Sequence, residues 1–141
     1  MQTQESIPDT AWPKISEIFE QVGWGWRPPE EVRSAFESST FSRFALEGDA
    51  IVGFGRTVDD GRYYGLIVDL VVVPQFQGQG IGSRLLAELR DCLARYEFCT
   101  LTAAPGKDGF YLSQGWKRQS SSFIWPKDSE QKSQHTRAES E

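Results

Sequence analysis

The chain has 141 residues, a net charge of −5 at neutral pH and no long apolar run. This length suits a single domain with one core. The missing apolar run and the polar N-terminus predict neither a membrane span nor a signal peptide. The acidic balance argues against non-specific nucleic-acid binding. We therefore expect a cytoplasmic protein with no membrane and no nucleic-acid partner.

Cysteine and histidine are scarce. The two cysteines, Cys92 and Cys99, fall in a predicted helix and the strand after it, and we expect them to be small buried residues in a reducing compartment. The single histidine, His135, lies in the polar tail. The sequence therefore predicts no disulfide framework, no metal site and no histidine-based mechanism.

The first third of the chain predicts two helices. Residues 1–9 are polar and are expected to be loose, with a first strand that is short or missing. Apolar residues at helical spacing predict a helix over 11–22, and a Pro-Pro-Glu-Glu run begins a second helix over 28–38. The loop 23–26, with two glycines and two tryptophans, joins them.

The remainder predicts a sheet with further helices. The pattern indicates strands at 41–46, 51–58, 62–73 and 98–103, helices at 80–95 and 107–114, and a last strand or tight hairpin at 115–125. The tail 126–141 has Ala138 as its only apolar residue and is expected to be disordered. The element order predicts one α+β domain over 10–125 with a mixed sheet.

A glycine-rich segment between a strand and a helix carries the most information. The strand ends at Pro74, and the six residues from Gln77 to Gly82 include three glycines. The first turn of a helix has free N–H donors and a partial positive charge, so this arrangement can bind an anion. The segment is neither a Walker loop nor a dinucleotide fingerprint. A purely structural tight turn is the alternative.

Two motifs together resemble the GNAT N-acetyltransferase family. One is Gln77-x-x-Gly80-x-Gly82, and the other is the Phe-Tyr-x-x-x-Gly segment around Tyr111, in which Trp116 replaces the family's phenylalanine. They occur in the family's order and at its separation, and the likeness covers most of residues 10–125. The resemblance implies a mixed, mostly antiparallel sheet flanked by helices, with splayed central strands that form an acyl-CoA cleft.

The resemblance implies acetyl-CoA as co-substrate and no metal. It assigns the pyrophosphate to backbone N–H groups of the loop, namely Gln77, Gly78, Gln79, Gly80, Ile81, Gly82, Ser83 and Arg84. The Arg84 side chain either adds a charged contact or is an exposed helix cation. The main chain of Val71 and Val73 is expected to pair with the pantetheine amides, and the splay is expected to place a backbone N–H near the thioester oxygen.

Two side chains are candidates for catalysis. Tyr111 matches the family's general acid, which protonates the CoA thiolate, although a core tyrosine is the alternative. Asp69 is a carboxylate in an otherwise apolar strand and a candidate base. A strand-end acid satisfied by a backbone or tyrosine donor is equally compatible, and water, Glu30 or Glu31 are other routes for the proton.

The acceptor site is expected around the first two helices. Trp24 and Trp26 can form an aromatic or cationic pocket, with core packing or a homodimer contact as the alternative. Segments 51–56, 68–74 and 123–125 resemble the plant and cyanobacterial branch, part of which acetylates arylalkylamines such as serotonin. That branch commonly has tyrosine where this chain has Phe76, so no role that needs this hydroxyl is expected here.

The predicted function is direct acetyl transfer from acetyl-CoA to a primary amine in a ternary complex, with a small arylalkylamine as the acceptor. The alternatives are acetylation of a protein amine, a non-catalytic acyl-CoA sensor or subunit, and a scaffold that dimerises without binding CoA.

Overall fold

The computed structural model describes residues 1–138. They belong to two compact units, one over Met1–Thr102 and one that begins at Ala103. Within residues 1–138, no helix combines the length and the apolar character needed to cross a bilayer.

The first unit is built on a five-stranded sheet whose strands lie in chain order. The first four strands are antiparallel to their neighbours, and the fifth runs parallel to the fourth. This confirms the predicted α+β class with a mostly antiparallel sheet. The strands are β1 (Gln2–Gln4), β2 (Ser42–Glu47), β3 (Ala50–Asp59), β4 (Tyr64–Val72) and β5 (Phe98–Leu101).

Helices pack on both faces of this sheet. On one face, α1 (Trp12–Gln21) and α2 (Pro29–Ser38) bury an aromatic cluster that contains Phe19, Phe36 and Phe54. On the other face, α3 (Ile81–Cys92) buries its apolar side against β2 and β3. The amphipathic spacing in the sequence therefore predicted these three helices correctly.

A β-bulge interrupts β4. Arg56 pairs with Val68 and Phe54 pairs with Val71, so Gly55 faces two residues, Asp69 and Leu70. Asp69 adopts a left-handed backbone with φ +54. A bulge of this kind bends the strand and redirects side chains.

β4 also extends beyond its pairing with β5. The parallel ladder covers only Tyr64–Ile67 against Phe98–Leu101, whereas β4 runs on to Val72. Beyond Ile67, this side of β4 pairs with no strand of the first unit. The splay of the central strands around a cleft stays a prediction.

The second unit contains two short helices, α4 (Asp108–Ser113) and α5 (Ser129–His135). The last strand or tight hairpin predicted over 115–125 is wrong, because this segment contains no strand and leaves Phe123 90% and Trp125 93% exposed. Its apolar end follows a Gln-Ser-Ser-Ser run, a composition of low strand propensity, and it forms no ladder.

The N-terminal segment contains the short first strand that the sequence allowed, and the described part of the tail contains a short helix. Residues 2–4 form β1, and the Thr3 hydroxyl donates to the Glu88 carboxylate over 3.0 Å. In the tail, α5 begins where the Asp128 side chain accepts a hydrogen bond from the Gln131 amide. Such a cap supplies the partner that a short polar helix needs at its start. Residues 139–141 of the predicted tail lie outside the described residues.

Candidate cofactor and acceptor site

The loop between β4 and α3 presents free backbone donors. Gly78 and Gly80 have φ +79 and +85, the left-handed region that favours glycine. Gly80 is the N-cap of α3 and has no capping side chain among the described residues. The first helical bond runs from the Arg84 amide to the Gly80 carbonyl. The amides of Ile81, Gly82 and Ser83 therefore have no helical partner, and they lie at the positive end of the helix dipole.

The Gln77 side chain holds this loop against the sheet. Its amide nitrogen donates to the Val72 carbonyl over 3.0 Å. The preceding residue, Phe76, packs against the apolar clusters on both sides of the sheet. The motif glutamine thus has a side-chain role, whereas the sequence pointed only to its backbone.

The strand register bears on the expected pantetheine contacts of Val71 and Val73, which stay a prediction. The Val73 amide donates to the Val52 carbonyl over 2.8 Å, so it is already paired within the sheet. Val71 lies two residues before Val73 and is opposite Phe54. Because hydrogen-bonded pairs alternate along an antiparallel ladder, Val71 is paired with β3 in the same way as Val73. Both valine side chains are buried in the core. Val72 alternates with them, so its N–H is directed away from β3, toward the open side of β4.

The Arg84 side chain is an exposed helix cation. Its Nε lies 3.1 Å from the Glu88 carboxylate, one turn further along α3. This intrahelical pair matches the alternative that the sequence left open. A contact from Arg84 to a pyrophosphate stays a prediction.

Asp69 lies between two arginines. One carboxylate oxygen accepts from Arg56 Nε over 2.8 Å and the other accepts from Arg27 Nη1 over 3.2 Å. The Asp69 side chain is only 10% exposed. The carboxylate is thus paired, as in the alternative to a base, but its donors are guanidinium groups and not a backbone or tyrosine group. Its role as a base stays a prediction, and the two ion pairs favour a positioning role instead.

Arg27 connects this carboxylate to the predicted aromatic loop. Its guanidinium carbon lies 4.3 Å from the centre of the Phe19 ring and 5.9 Å from that of Trp24. Trp24 also packs on Phe19, at 5.7 Å between ring centres. Trp26 is 55% exposed and belongs to none of the aromatic pairs found in residues 1–138. Arg27 therefore contacts both Asp69 and Trp24, whereas Trp26 lies at the surface.

The sequence analysis did not single out Arg27 or Arg56. Arg56 lies in the apolar strand β3, and a charged residue there needs a partner on the neighbouring strand. That was the available signal, and it points to Asp69. Arg27 gave no local signal, because its partner lies 42 residues away.

Tyr111 lies in α4 of the second unit. It is half-buried, and its ring meets that of Phe110 edge-on at 5.0 Å. Burial raises the pKa of the phenol, so the group keeps its proton throughout the neutral range. A protonated phenol suits a general acid, and this role stays a prediction. Glu30 and Glu31, the alternative bases, are exposed in the first turn of α2.

Comparisons with known proteins identify the family of the chain. The family model described as "Acetyltransferase (GNAT) domain" matches residues 18–125. An uncharacterized N-acetyltransferase ycf52 from Gracilaria tenuistipitata var. liui is 35% identical over 109 residues, covering 72% of this chain and 59% of that protein. Serotonin N-acetyltransferase 2, chloroplastic, from Oryza sativa subsp. japonica is 32% identical over 110 residues, covering 72% and 54%.

A solved structure supports the same assignment. A GNAT family acetyltransferase from Streptococcus pneumoniae superposes with a TM-score of 0.72 at 31% identity, covering 89% of this chain and 95% of that one. The chain spans less than two thirds of the length of the curated relatives it matches. Since the family model matches most of the sequence, the chain belongs to the GNAT acetyltransferase family.

Proposed function

We propose that the chain is an acetyl-CoA-dependent N-acetyltransferase that acts on a primary amine in a ternary complex. The observation that carries this proposal is the uncapped start of α3, next to a strand whose outer side is open. An anionic diphosphate fits the start of α3, and an extended chain of amides fits the outer side of β4.

The residues present suit acetyl-CoA. The amides of Ile81, Gly82 and Ser83 would hold the pyrophosphate, together with the backbone of the loop before them. The Val72 N–H would pair with a pantetheine amide, in place of Val71 and Val73. The Gln77 side chain keeps the loop and the strand in register for both contacts.

The chemistry needs two proton transfers. The amine nitrogen attacks the thioester carbonyl, the new C–N bond forms, and the C–S bond breaks to release the thiolate. Tyr111 would give its proton to this thiolate. Since both oxygens of Asp69 are paired with arginines, the proton of the attacking amine would leave through water or through Glu30 or Glu31.

We propose a small arylalkylamine as the acceptor. The rice relative named as a serotonin N-acetyltransferase supports this class, as do the two tryptophans of the loop 23–26, whose rings can stack on an aromatic substrate. A protein amine is the second candidate, because Trp26 and the loop are exposed enough to meet a peptide.

A panel of amines with acetyl-CoA tests the proposal through release of free thiol. The panel contains arylalkylamines, polyamines, amino acids and a lysine peptide. We expect thiol release that depends on the amine and is highest with an aromatic member. If acetyl-CoA binds but no amine supports release, the chain is an acyl-CoA sensor. A preference for the peptide would indicate that the acceptor is a protein amine.

A further inference from the structure

We propose that Arg27 determines acceptor specificity by binding a carboxylate, so that the acceptor is an aromatic primary amine that also carries a carboxylate group. This inference rests on the proposed function and narrows its substrate class. It follows from the charge, the fixed geometry and the position of the Arg27 guanidinium.

The cluster around Asp69 has one positive charge too many. Two guanidinium groups share one carboxylate. Arg56 is 16% exposed, and its Nη1 donates to the Ala35 carbonyl and to the Ser39 hydroxyl. Arg27 is 42% exposed, and within residues 1–138 Asp69 is the only acid within 4.0 Å of it. Of the two guanidinium groups, Arg27 is the more exposed, and its one side-chain hydrogen bond within residues 1–138 is to Asp69, so the excess charge is accessible there.

The Arg27 guanidinium is held in place before any ligand arrives. Asp69 fixes one nitrogen, and the fully buried ring of Phe19 supports one face at 4.3 Å. Trp24 lies close to the same group. A planar, preorganised guanidinium binds a carboxylate through two parallel hydrogen bonds with little loss of side-chain entropy.

Arg27 is also located where β4 opens. Its partner Asp69 lies two residues beyond Ile67, the last residue of β4 that pairs with β5. Val72, whose N–H is directed to the open side, is three residues further on. In an α-amino acid the amine and the carboxylate are joined through one carbon, so a carboxylate on Arg27 would keep the amine near this edge.

The same geometry argues against a simple cation pocket at Trp24. Because the guanidinium already lies near the ring of Trp24, a second cation there would be repelled. An aromatic ring can instead stack on the guanidinium plane or on the exposed Trp26. An aromatic amino acid therefore fits the site better than the corresponding amine without a carboxylate.

Matched substrate pairs test this inference. We compare tryptophan with tryptamine, and phenylalanine with 2-phenylethylamine, by kcat/KM at saturating acetyl-CoA. We expect the wild-type chain to prefer the carboxylate-bearing member by about tenfold or more, as for a charge-assisted bidentate contact. Arg27→Gln should bring this ratio close to one, mainly through KM, and Arg27→Lys should keep part of it.

Arg62→Gln is the matched control. Arg62 lies in the turn before β4, against the Tyr63 ring, and its loss removes the same charge. The substrate ratio of this variant should equal that of the wild type. A second measurement does not need turnover: calorimetry of N-acetyltryptophan and N-acetyltryptamine binding to the protein saturated with CoA.

The outcomes separate this inference from the proposed function. If no amine is acetylated but Arg27→Gln still removes a preference for N-acetyltryptophan, carboxylate binding by Arg27 stands and the enzyme assignment fails. The inference is overturned if the wild type shows no preference for the carboxylate in either measurement, or if Arg27→Gln leaves the preference intact. It is also overturned if that variant loses acetyl-CoA affinity instead, because the guanidinium would then serve the nucleotide.

Discussion

The Gln77 side-chain amide lies 3.0 Å from the Val72 carbonyl and ties the glycine loop to the strand that precedes it. Val72 is the residue whose N–H is directed to the open side of β4, and the loop leads directly to the uncapped N-terminus of α3. This hydrogen bond therefore links the two surfaces that we assign to acetyl-CoA.

Gln77→Ala should weaken acetyl-CoA binding while the fold is kept. Loss of one hydrogen bond that positions the loop is expected to raise Kd by about threefold to tenfold, measured by calorimetry. Gln79→Ala is the control, because the Gln79 side chain makes no hydrogen bond within residues 1–138, and it should change Kd by less than about twofold. Equal losses in the two variants would contradict a specific role for the Gln77 side chain.

Tyr111→Phe should lower kcat without weakening acetyl-CoA. The change removes only the hydroxyl, and general acid catalysis contributes about 10²–10⁴ in rate, so we expect at least a tenfold fall in kcat with KM for acetyl-CoA nearly constant. The pH profile is a second readout. Because burial raises the pKa of this phenol, the alkaline fall in wild-type kcat should lie above pH about 10. Wild-type kcat in a variant whose chemical step limits turnover would exclude the acid role.

The two tryptophans of the acceptor loop should respond differently to truncation. Trp24 packs on Phe19 and approaches Arg27, so Trp24→Ala should lower the melting temperature as well as raise KM for an aromatic acceptor. Trp26 is mostly exposed, so Trp26→Ala should leave stability close to wild type and raise this KM by about threefold to thirtyfold. If KM is unchanged in both variants, the aromatic acceptor site lies elsewhere.

A second carboxylate, Asp59, should make stability depend on pH. Burial pushes its pKa upward, but hydrogen bonds from Tyr96, Thr57, Thr40 and the Gly61 amide outweigh this and lower the pKa below its usual value. The hydrogen bond to Asp59 in turn raises the pKa of Tyr96 to about 12. A carboxyl group whose pKa is lowered by folding stabilises the fold at pH values above its pKa in the unfolded chain, and this stabilisation is lost as pH falls. A phenol whose pKa is raised by folding stabilises the fold at pH values below its pKa in the unfolded chain, and this stabilisation is lost as pH rises.

Tyr96→Phe should therefore lower the melting temperature by an amount that is constant between pH about 5 and 9 and shrinks outside this window, at acid pH and above about pH 10. Tyr63→Phe, at an exposed tyrosine in the turn before β4, is the control and should show no such window. A difference between wild type and Tyr96→Phe that does not change with pH would contradict the coupling.

Local pattern predicted the helices well and the strand details poorly. α1 and α2 each bury one face, and spacing along one element is enough to find them. The bulge at Asp69 depends on how β3 pairs with β4, and so does the direction of the Val72 N–H, on which we base its proposed contact with pantetheine. Neither can be read from one strand alone, since alternation assumes one residue opposite one residue.

Long-range ion pairs and the structure of the last segment were also hard to predict from local sequence. Arg27 and Asp69 become partners only after the chain has folded, so the sequence identified the acid but not its guanidinium partners. The run Phe123-Ile124-Trp125 looks like a strand, yet in the structure it has no ladder to join and two of its three side chains are almost fully exposed. The glycine loop was predictable because glycine and helix start lie next to each other in sequence.

Acetyl-CoA binding by Gly80→Glu and Gly61→Glu tests the central claim most directly. Both glycines have left-handed backbones with open space around them, at φ +85 and +80, so both variants introduce the same strain and the same charge. Only Gly80 lies at the start of α3, where a carboxylate would occupy the place assigned to the pyrophosphate. Calorimetry should show a loss of more than about tenfold in affinity for Gly80→Glu and wild-type affinity for Gly61→Glu. Unchanged affinity in a folded Gly80→Glu protein would contradict the assignment of the loop to acetyl-CoA.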